Sequence, residues 1–192
     1  MGGTSFALAK EYDEVIGIDY SQAFIDAAND MKHNDLHPVH FDVPMEGDFA
    51  STVLCRHESE FDKNQITFLQ GDACSLNEEE LGQFDVVALA NLICRLPEPL
   101  KCLDSLERMV KPNGVVVMTT PFSWLETYTD KENWLGGYEK DGAAVHSEDT
   151  LKMEMEARGF QRIYNEPFPL TIREHQRKYQ YIVANGSAWK KI

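Results

Sequence analysis

Five residues, Val15-Ile16-Gly17-Ile18-Asp19, constrain the fold of this chain more than any other stretch. An apolar run that stops on an acid reads as a buried strand with a functional end. Ahead of it, Gly2-Gly3-Thr4 opens a helical pattern over 4–12 in which Phe6, Leu8 and Ala9 can pack against a sheet. Glycines just before a helix let the backbone approach a ligand closely, and an acid at the end of the following strand can take two ribose hydroxyls. Together these make half of a nucleotide-binding strand–helix–strand unit. The other half is a strand leading into the glycines, and only Met1 precedes Gly2. The first strand is therefore expected to be absent from this chain.

The alternation of strand and helix continues downstream. Ser21 is placed to cap a helix carrying Phe24, Ala27, Ala28 and Met31 at helical spacing. The segment 33–65 breaks the rhythm with Pro38, Pro44 and Gly47; within it, 39–43 and 52–55 can pair as a small hairpin. Ile66 to Gln70 resumes the sheet and runs into Gly71-Asp72-Ala73-Cys74, and an acidic stretch over 77–83 suits a short exposed helix. Phe84 to Ala90 is apolar at nearly every position, as expected of a central strand covered on both faces. It empties into Asn91-Leu92-Ile93-Cys94-Arg95-Leu96-Pro97. Leu100, Leu103, Leu106 and Val110 make a one-sided helix, stopped by the turn Lys111-Pro112-Asn113-Gly114. A buried strand over 115–119 then leads into Thr120-Pro121-Phe122-Ser123-Trp124-Leu125-Glu126 and a long aromatic-rich connection. Ser147 caps a helix with Leu151, Met155 and Ala157, ended by Gly159.

The last segment differs in kind. Runs over 161–172 and 179–184 are strand-like and joined by a charged loop without a helix, so they must be antiparallel neighbours. The expected fold is α/β, a Rossmann-like mostly parallel sheet closed by a C-terminal antiparallel hairpin. At 192 residues with 43% hydrophobic content, one domain over 1–192 is expected, with 33–65 and 120–146 as long insert or lid segments.

A net charge of −14 argues against an electrostatic grip on nucleic acid and favours small-molecule partners. The four cysteines, Cys55, Cys74, Cys94 and Cys102, show neither metal-type spacing nor a disulfide framework, which suits a cytoplasmic protein with reduced thiols. No secretory signal pattern or membrane-length apolar run is visible, so no membrane partner is expected.

Four motifs in this order resemble the class I S-adenosylmethionine-dependent methyltransferases: the Gly2-Gly3 turn, Asp19, Gly71-Asp72-Ala73 and Asn91-Leu92. The resemblance implies S-adenosyl-L-methionine as cofactor. It would place Gly2, Gly3 and Thr4 near the methionine portion, Asp19 and Tyr20 at the ribose, Asp72 and Ala73 at the adenine, and Asn91 beneath the sulfonium. The phrases 91–97 and 120–126, followed by Trp134-Leu135-Gly136-Gly137, look like the methyltransferase domain at the C-terminal end of the ovothiol biosynthesis enzyme. That domain methylates a ring nitrogen of 5-thiohistidine, and the likeness implies a further domain upstream in a parent protein.

Around the reacting atoms, the expected residues are Asn91, Arg95, Trp124, Tyr128 and Trp134. Arg95 offers a bidentate fork for a substrate carboxylate, and Phe122 with the other aromatics can line a site for a flat ring and a cation. Each has a plainer alternative. Asp19 could cap the next helix, Asp72 could be a turn residue, and Arg95 could pair with Glu98 or Asp104. Trp124 and Trp134 could anchor a loop. His37 and His40 lack further ligands at metal spacing, so no metal is expected. Cys74 reads as a small packed residue, and Glu78-Glu79-Glu80 as a solvated face. Two other functions remain open: a catalytically silent shortened form, and a nicotinamide-dependent oxidoreductase, since Asp19 would serve a nicotinamide dinucleotide equally well.

Overall fold

The computed structural model describes residues 2–33, 39–55 and 62–192. The chain divides into two compact units, Met1–Ala73 with Arg173–Gln180, and Cys74–Ile172 with Tyr181–Ile192.

The first unit runs α1 (Gly3–Leu8), β1 (Val15–Asp19), α2 (Gln22–His33), the hairpin β2 (Val39–Glu46) and β3 (Phe49–Cys55), then β4 (Ile66–Gln70). β1 and β4 lie parallel, from Val15 opposite Ile66 to Asp19 opposite Gln70. Phe6, Val15, Ile25, Ala28, Met31, Ile66 and Phe68 form the core, with the Phe6 and Phe68 rings edge to face at 5.6 Å. Gly17 is what lets α1 close on β1: a Cβ there would stand 2.7 Å from the Phe68 ring and from Ser5 Oγ. Helix α1 is shorter than the pattern over 4–12 implies, because residues 10–12 bond back to Ala7 and Leu8 as a turn. In α2 the inward residue is Ile25, while Phe24 is 52% exposed. Both are apolar and adjacent, so spacing alone assigned the face one residue early.

The second unit holds α3 (Glu78–Leu81), β5 (Phe84–Ala90), α4 (Pro99–Met109), β6 (Val110–Thr120), the hairpin β7 (Tyr138–Lys140) and β8 (Ala143–Val145), α5 (Ser147–Ala157) and all but the hairpin tip of β9 (Phe160–His175) and β10 (Lys178–Lys191). Its sheet has the order β5-β6-β10-β9. β5 runs parallel to β6, and β10 antiparallel to it, from Asn185 opposite Thr120 to Lys190 opposite Val115. The result is an α/β fold with a mixed sheet. Pro at the first turn of α4 fits a position where a helix needs no N–H, and the helix buries Cys102, Leu103, Leu106 and Met109. Leu100, expected inside, is 42% exposed. Arg158 joins α5 to α4 by bonding Glu154 and Asp104, which hold its guanidinium charged against the opposing effect of burial.

The expectation that β5 is covered on both faces needs correction. Leu89 is buried, opposite fully buried Met118, while Ala88 and Ala90 on the alternate side are exposed and Val117 beside Ala88 is 43% exposed. The strand also has a sheet neighbour on one side only among the described residues. Apolar composition records what a strand can tolerate on each face, and here helices cover one of them.

Candidate active site

In the first unit, the carboxyl ends of β1 and β4 lie side by side, so Asp19 stands next to the turn that begins at Gly71. Gly71 N–H donates to the Asp19 carbonyl at 3.0 Å, and Gln70 Nε2 donates to the Tyr20 carbonyl at 3.1 Å. Asp19 Oδ1 accepts the Ser21 N–H at 2.9 Å, opening α2. The helix-capping alternative is thus realised through one carboxylate oxygen, and Oδ2 has no partner among the described residues. Tyr20 is 77% exposed, and Asp72 and Ala73 are half-buried in the turn after β4. Gly2 is left-handed, with φ 71, and a Cβ there would meet the Phe68 and Phe6 rings at 2.9 and 3.0 Å. Packing therefore explains Gly2. Gly3 instead has nothing within 4 Å of its Cβ position, and Thr4 is exposed beside it.

In the second unit, β5 and β6 leave the sheet through the same device. Asn91, the first residue past β5, has φ 52, and Phe122, just past β6, has φ 48. Non-glycine residues in this region cost of order 1–3 kcal/mol each and cluster at functional sites. Threonines hold both in place. Asn91 N–H donates to the Thr119 carbonyl at 2.8 Å and to its Oγ1 at 3.2 Å, and Phe122 N–H donates to Thr120 Oγ1 at 3.2 Å. Asn91 Oδ1 is buried with no hydrogen-bond partner among the described residues. Leaving such an acceptor unsatisfied costs about 1–3 kcal/mol.

Arg95, in the turn Ile93–Arg95, reaches across to the β6 exit. Its NH1 donates to the Cys94 carbonyl at 2.9 Å and to the Ser123 carbonyl, and NH2 donates to Ser123 Oγ at 3.0 Å. The guanidinium also lies 5.2 Å from the centre of the half-exposed Tyr128 ring. Glu98 pairs with Lys101 and Asp104 with Arg158, so the ion-pair alternative for Arg95 does not form. Much of the fork is spent on the two loops; Nε–H and one NH2 hydrogen have no partner among the described residues.

Trp124 and Trp134 come together as a stacked pair, 6.4 Å apart at 19°. Both indoles are tied internally: Trp124 Nε1 donates to Ser147 Oγ and Trp134 Nε1 to the Thr129 carbonyl, each at 2.8 Å. These contacts fit the plainer alternative of loop anchors. Fully buried Thr129 and half-buried Asn133 bond the carbonyls of Leu96 and Pro97, fastening 129–133 to the β5 exit. His37 lies outside the described residues.

A family model described as a methyltransferase domain matches residues 3–165. The chain belongs to that methyltransferase family. This methyltransferase is an enzyme by its family, and the match separates it from the nicotinamide-dependent alternative. The sequence matches no curated protein. Among solved structures, it is similar to a SAM-dependent methyltransferase from Methanosarcina mazei, with TM-score 0.60 and 17% identity, covering 98% of this chain and 86% of that one. Magnesium protoporphyrin IX methyltransferase from Synechocystis, solved with bound SAM, matches at TM-score 0.55 and 14% identity, over 98% of this chain and 64% of that one. The N-methyltransferase NodS from Bradyrhizobium japonicum matches at TM-score 0.55 and 12% identity, over 99% and 80%. These likenesses show a shared fold.

Sequence reasoning missed Ser123, Thr119 and Thr120, which hold Arg95, Asn91 and Phe122. The signal was present in Thr119-Thr120-Pro121, hydroxyls at a strand end just before a chain-breaking proline.

Proposed function

We propose that this methyltransferase uses S-adenosyl-L-methionine to methylate a nitrogen of a small molecule, with 5-thiohistidine as the specific candidate. The observation that carries the cofactor reading is the pairing of Asp19 with the Gly71-Asp72-Ala73 turn at adjacent carboxyl ends of β1 and β4, where doubly wound sheets bind nucleotides. The residues present fit the cofactor. Asp19 keeps one carboxylate oxygen for the ribose diol, Tyr20 flanks it, Asp72 and Ala73 suit the adenine, and Gly3 with Thr4 offers open backbone for the methionine end. Gly2 shapes that turn.

When bound, the cofactor supplies an activated methyl group on a sulfonium. The protein's part is to hold an acceptor in line with it, a proximity effect worth roughly 7–11 kcal/mol in favourable systems. An imidazole nitrogen, with an ordinary pKa of about 6.5, is already largely neutral at pH 7 and needs no dedicated base. Arg95 has two N–H groups without a partner among the described residues, which suit a carboxylate, and Tyr128 adds a half-exposed aromatic face. The amino-acid substrate rests on these features and on the phrases 91–97 and 120–126.

The reading is tested by incubating the protein with S-adenosylmethionine and 5-thiohistidine and following product mass. A gain of one methyl group is expected; transfer to other nitrogen acceptors but not to 5-thiohistidine would remove the specific substrate and keep the class.

A further inference from the structure

Arg108, Arg158, Arg162 and Arg177 each pair with a glutamate. Half-buried Arg95 has no carboxylate partner among the described residues, in a chain with 32 acidic residues against 18 lysines and arginines. What holds it instead is Ser123, which lies in the same compact unit. The Ser123 carbonyl accepts from NH1 and its hydroxyl from NH2, which occupies the edge of the guanidinium between those two nitrogens. The other NH1 hydrogen goes to the Cys94 carbonyl. One edge is left, made of Nε–H and the remaining NH2 hydrogen, and in a planar guanidinium these two point the same way. Ser123 is itself fixed from both sides: Phe122 N–H is held by Thr120 Oγ1, and Trp124 Nε1 by Ser147 Oγ. The free edge is therefore aimed before any ligand arrives, with the Tyr128 ring centre 5.2 Å from the guanidinium carbon.

We propose that Ser123 is a positioning residue: it holds Arg95 so that the edge formed by Nε and NH2 is a preformed fork for an organic monocarboxylate, with Tyr128 beside it for a flat group. The proposal rests on the reading above for what the substrate is, and deepens it by naming what sets its carboxylate. Every residue in it lies in the second unit. Two N–H donors in one plane match the two oxygens of a carboxylate, and charge-assisted bonds of this kind are roughly twice as strong as neutral ones. A lysine would bring the charge without the plane. Inorganic phosphate brings more oxygens than one fork satisfies, and the net charge of −14 opposes a second negative charge. Without Ser123 Oγ, NH2 loses its anchor and the ligand itself must order the guanidinium, which costs affinity.

Benzoate is the probe, with benzamide as its flat neutral counterpart and inorganic phosphate as the competing anion. Binding to the full chain without cofactor is followed by nitrogen–proton NMR of the Arg95 Nε–H, a resonance assigned by its loss in Arg95→Lys. The wild type is expected to bind benzoate saturably with a shift of that resonance, and to bind benzamide and phosphate about tenfold or more weakly. Ser123→Ala should weaken benzoate roughly fivefold, while Ser123→Thr, which keeps the hydroxyl, should hold it within about twofold. Arg95→Lys, read from the benzoate signals, should weaken it about tenfold or more. The proposal is overturned if benzoate leaves the Nε–H resonance unmoved or if benzamide or phosphate binds equally well. It is also overturned if Arg95→Lys or Ser123→Ala binds benzoate as the wild type does, or if Ser123→Thr loses as much as Ser123→Ala. Titration of the wild type with S-adenosylhomocysteine reports separately on the methyltransferase reading: benzoate binding without it would remove that reading and keep the fork.

Discussion

At Asp19 two roles share one carboxylate. Oδ1 is committed to Ser21 N–H, so removing the side chain both loosens the start of α2 and deletes the proposed ribose partner. Hydrogen bonds to a charged group contribute roughly 1.5–3 kcal/mol, so Asp19→Ala is expected to weaken S-adenosylhomocysteine binding about tenfold or more. Asp19→Asn separates the roles: its amide oxygen can still accept from Ser21, so thermal stability should stay near wild type while cofactor binding falls. Gly17 makes a prediction about packing alone. Gly17→Ala pushes a Cβ into the Phe68 ring and Ser5, and overpacking of this kind costs about 1–3 kcal/mol, read as a lower urea midpoint. Glu78 gives a pH prediction. Its hydrogen bond with Arg108 holds the carboxyl below its ordinary 4.5, so the contribution to stability is present above that value and is lost as pH falls through the lowered one. Acid titration of Glu78→Gln should show a shallower loss of stability below about pH 4.5 than the wild type.

Among the elements, 121–146 is the segment whose character departs most from a loose connection. Thr129 Oγ1 donates to the Leu96 carbonyl at 2.7 Å, both indoles are hydrogen-bonded, and a Cβ at Gly136 would fall 2.3 Å from Ser147 N. Thr129→Val leaves the Leu96 carbonyl without its donor and is expected to destabilise by about 1–3 kcal/mol in chemical denaturation. Gly136→Ala should be worse, since backbone rather than a flexible side chain stands in the way. These ties were not legible in the sequence, because each joins residues brought together only by the folded chain: Thr129 to Leu96, Trp124 to Ser147. Several strands were legible: Val15–Asp19 and Ile66–Gln70 stand where their apolar runs end. The hairpin β7–β8 inside 120–146 was not foreseen, although its two-residue turn Asp141-Gly142, with φ 54 and 80, is a pair that favours such a turn. Helix faces were less legible, as Phe24 and Leu100 show, since adjacent apolar residues leave the stripe undecided by one position.

For the whole molecule, the order of motifs carried more than any one of them. Gly2-Gly3, Asp19, Gly71-Asp72 and Asn91 are individually common, and their sequence along an alternating α/β chain led to the family whose model matches 3–165. Polar details at the strand exits needed coordinates: asparagine and the threonines before Pro121 only permit such turns, and a phenylalanine at 122 gives no sign of a left-handed backbone. The account as a whole depends on S-adenosylmethionine being the ligand at the carboxyl ends of β1 and β4. Calorimetric titration of S-adenosylhomocysteine into the wild type and Asp19→Asn tests it most directly: saturable one-to-one binding is predicted for the wild type, at least about tenfold weaker in the variant at equal melting temperature. Absence of binding to the folded wild type, or equal affinity in the two proteins, would contradict it.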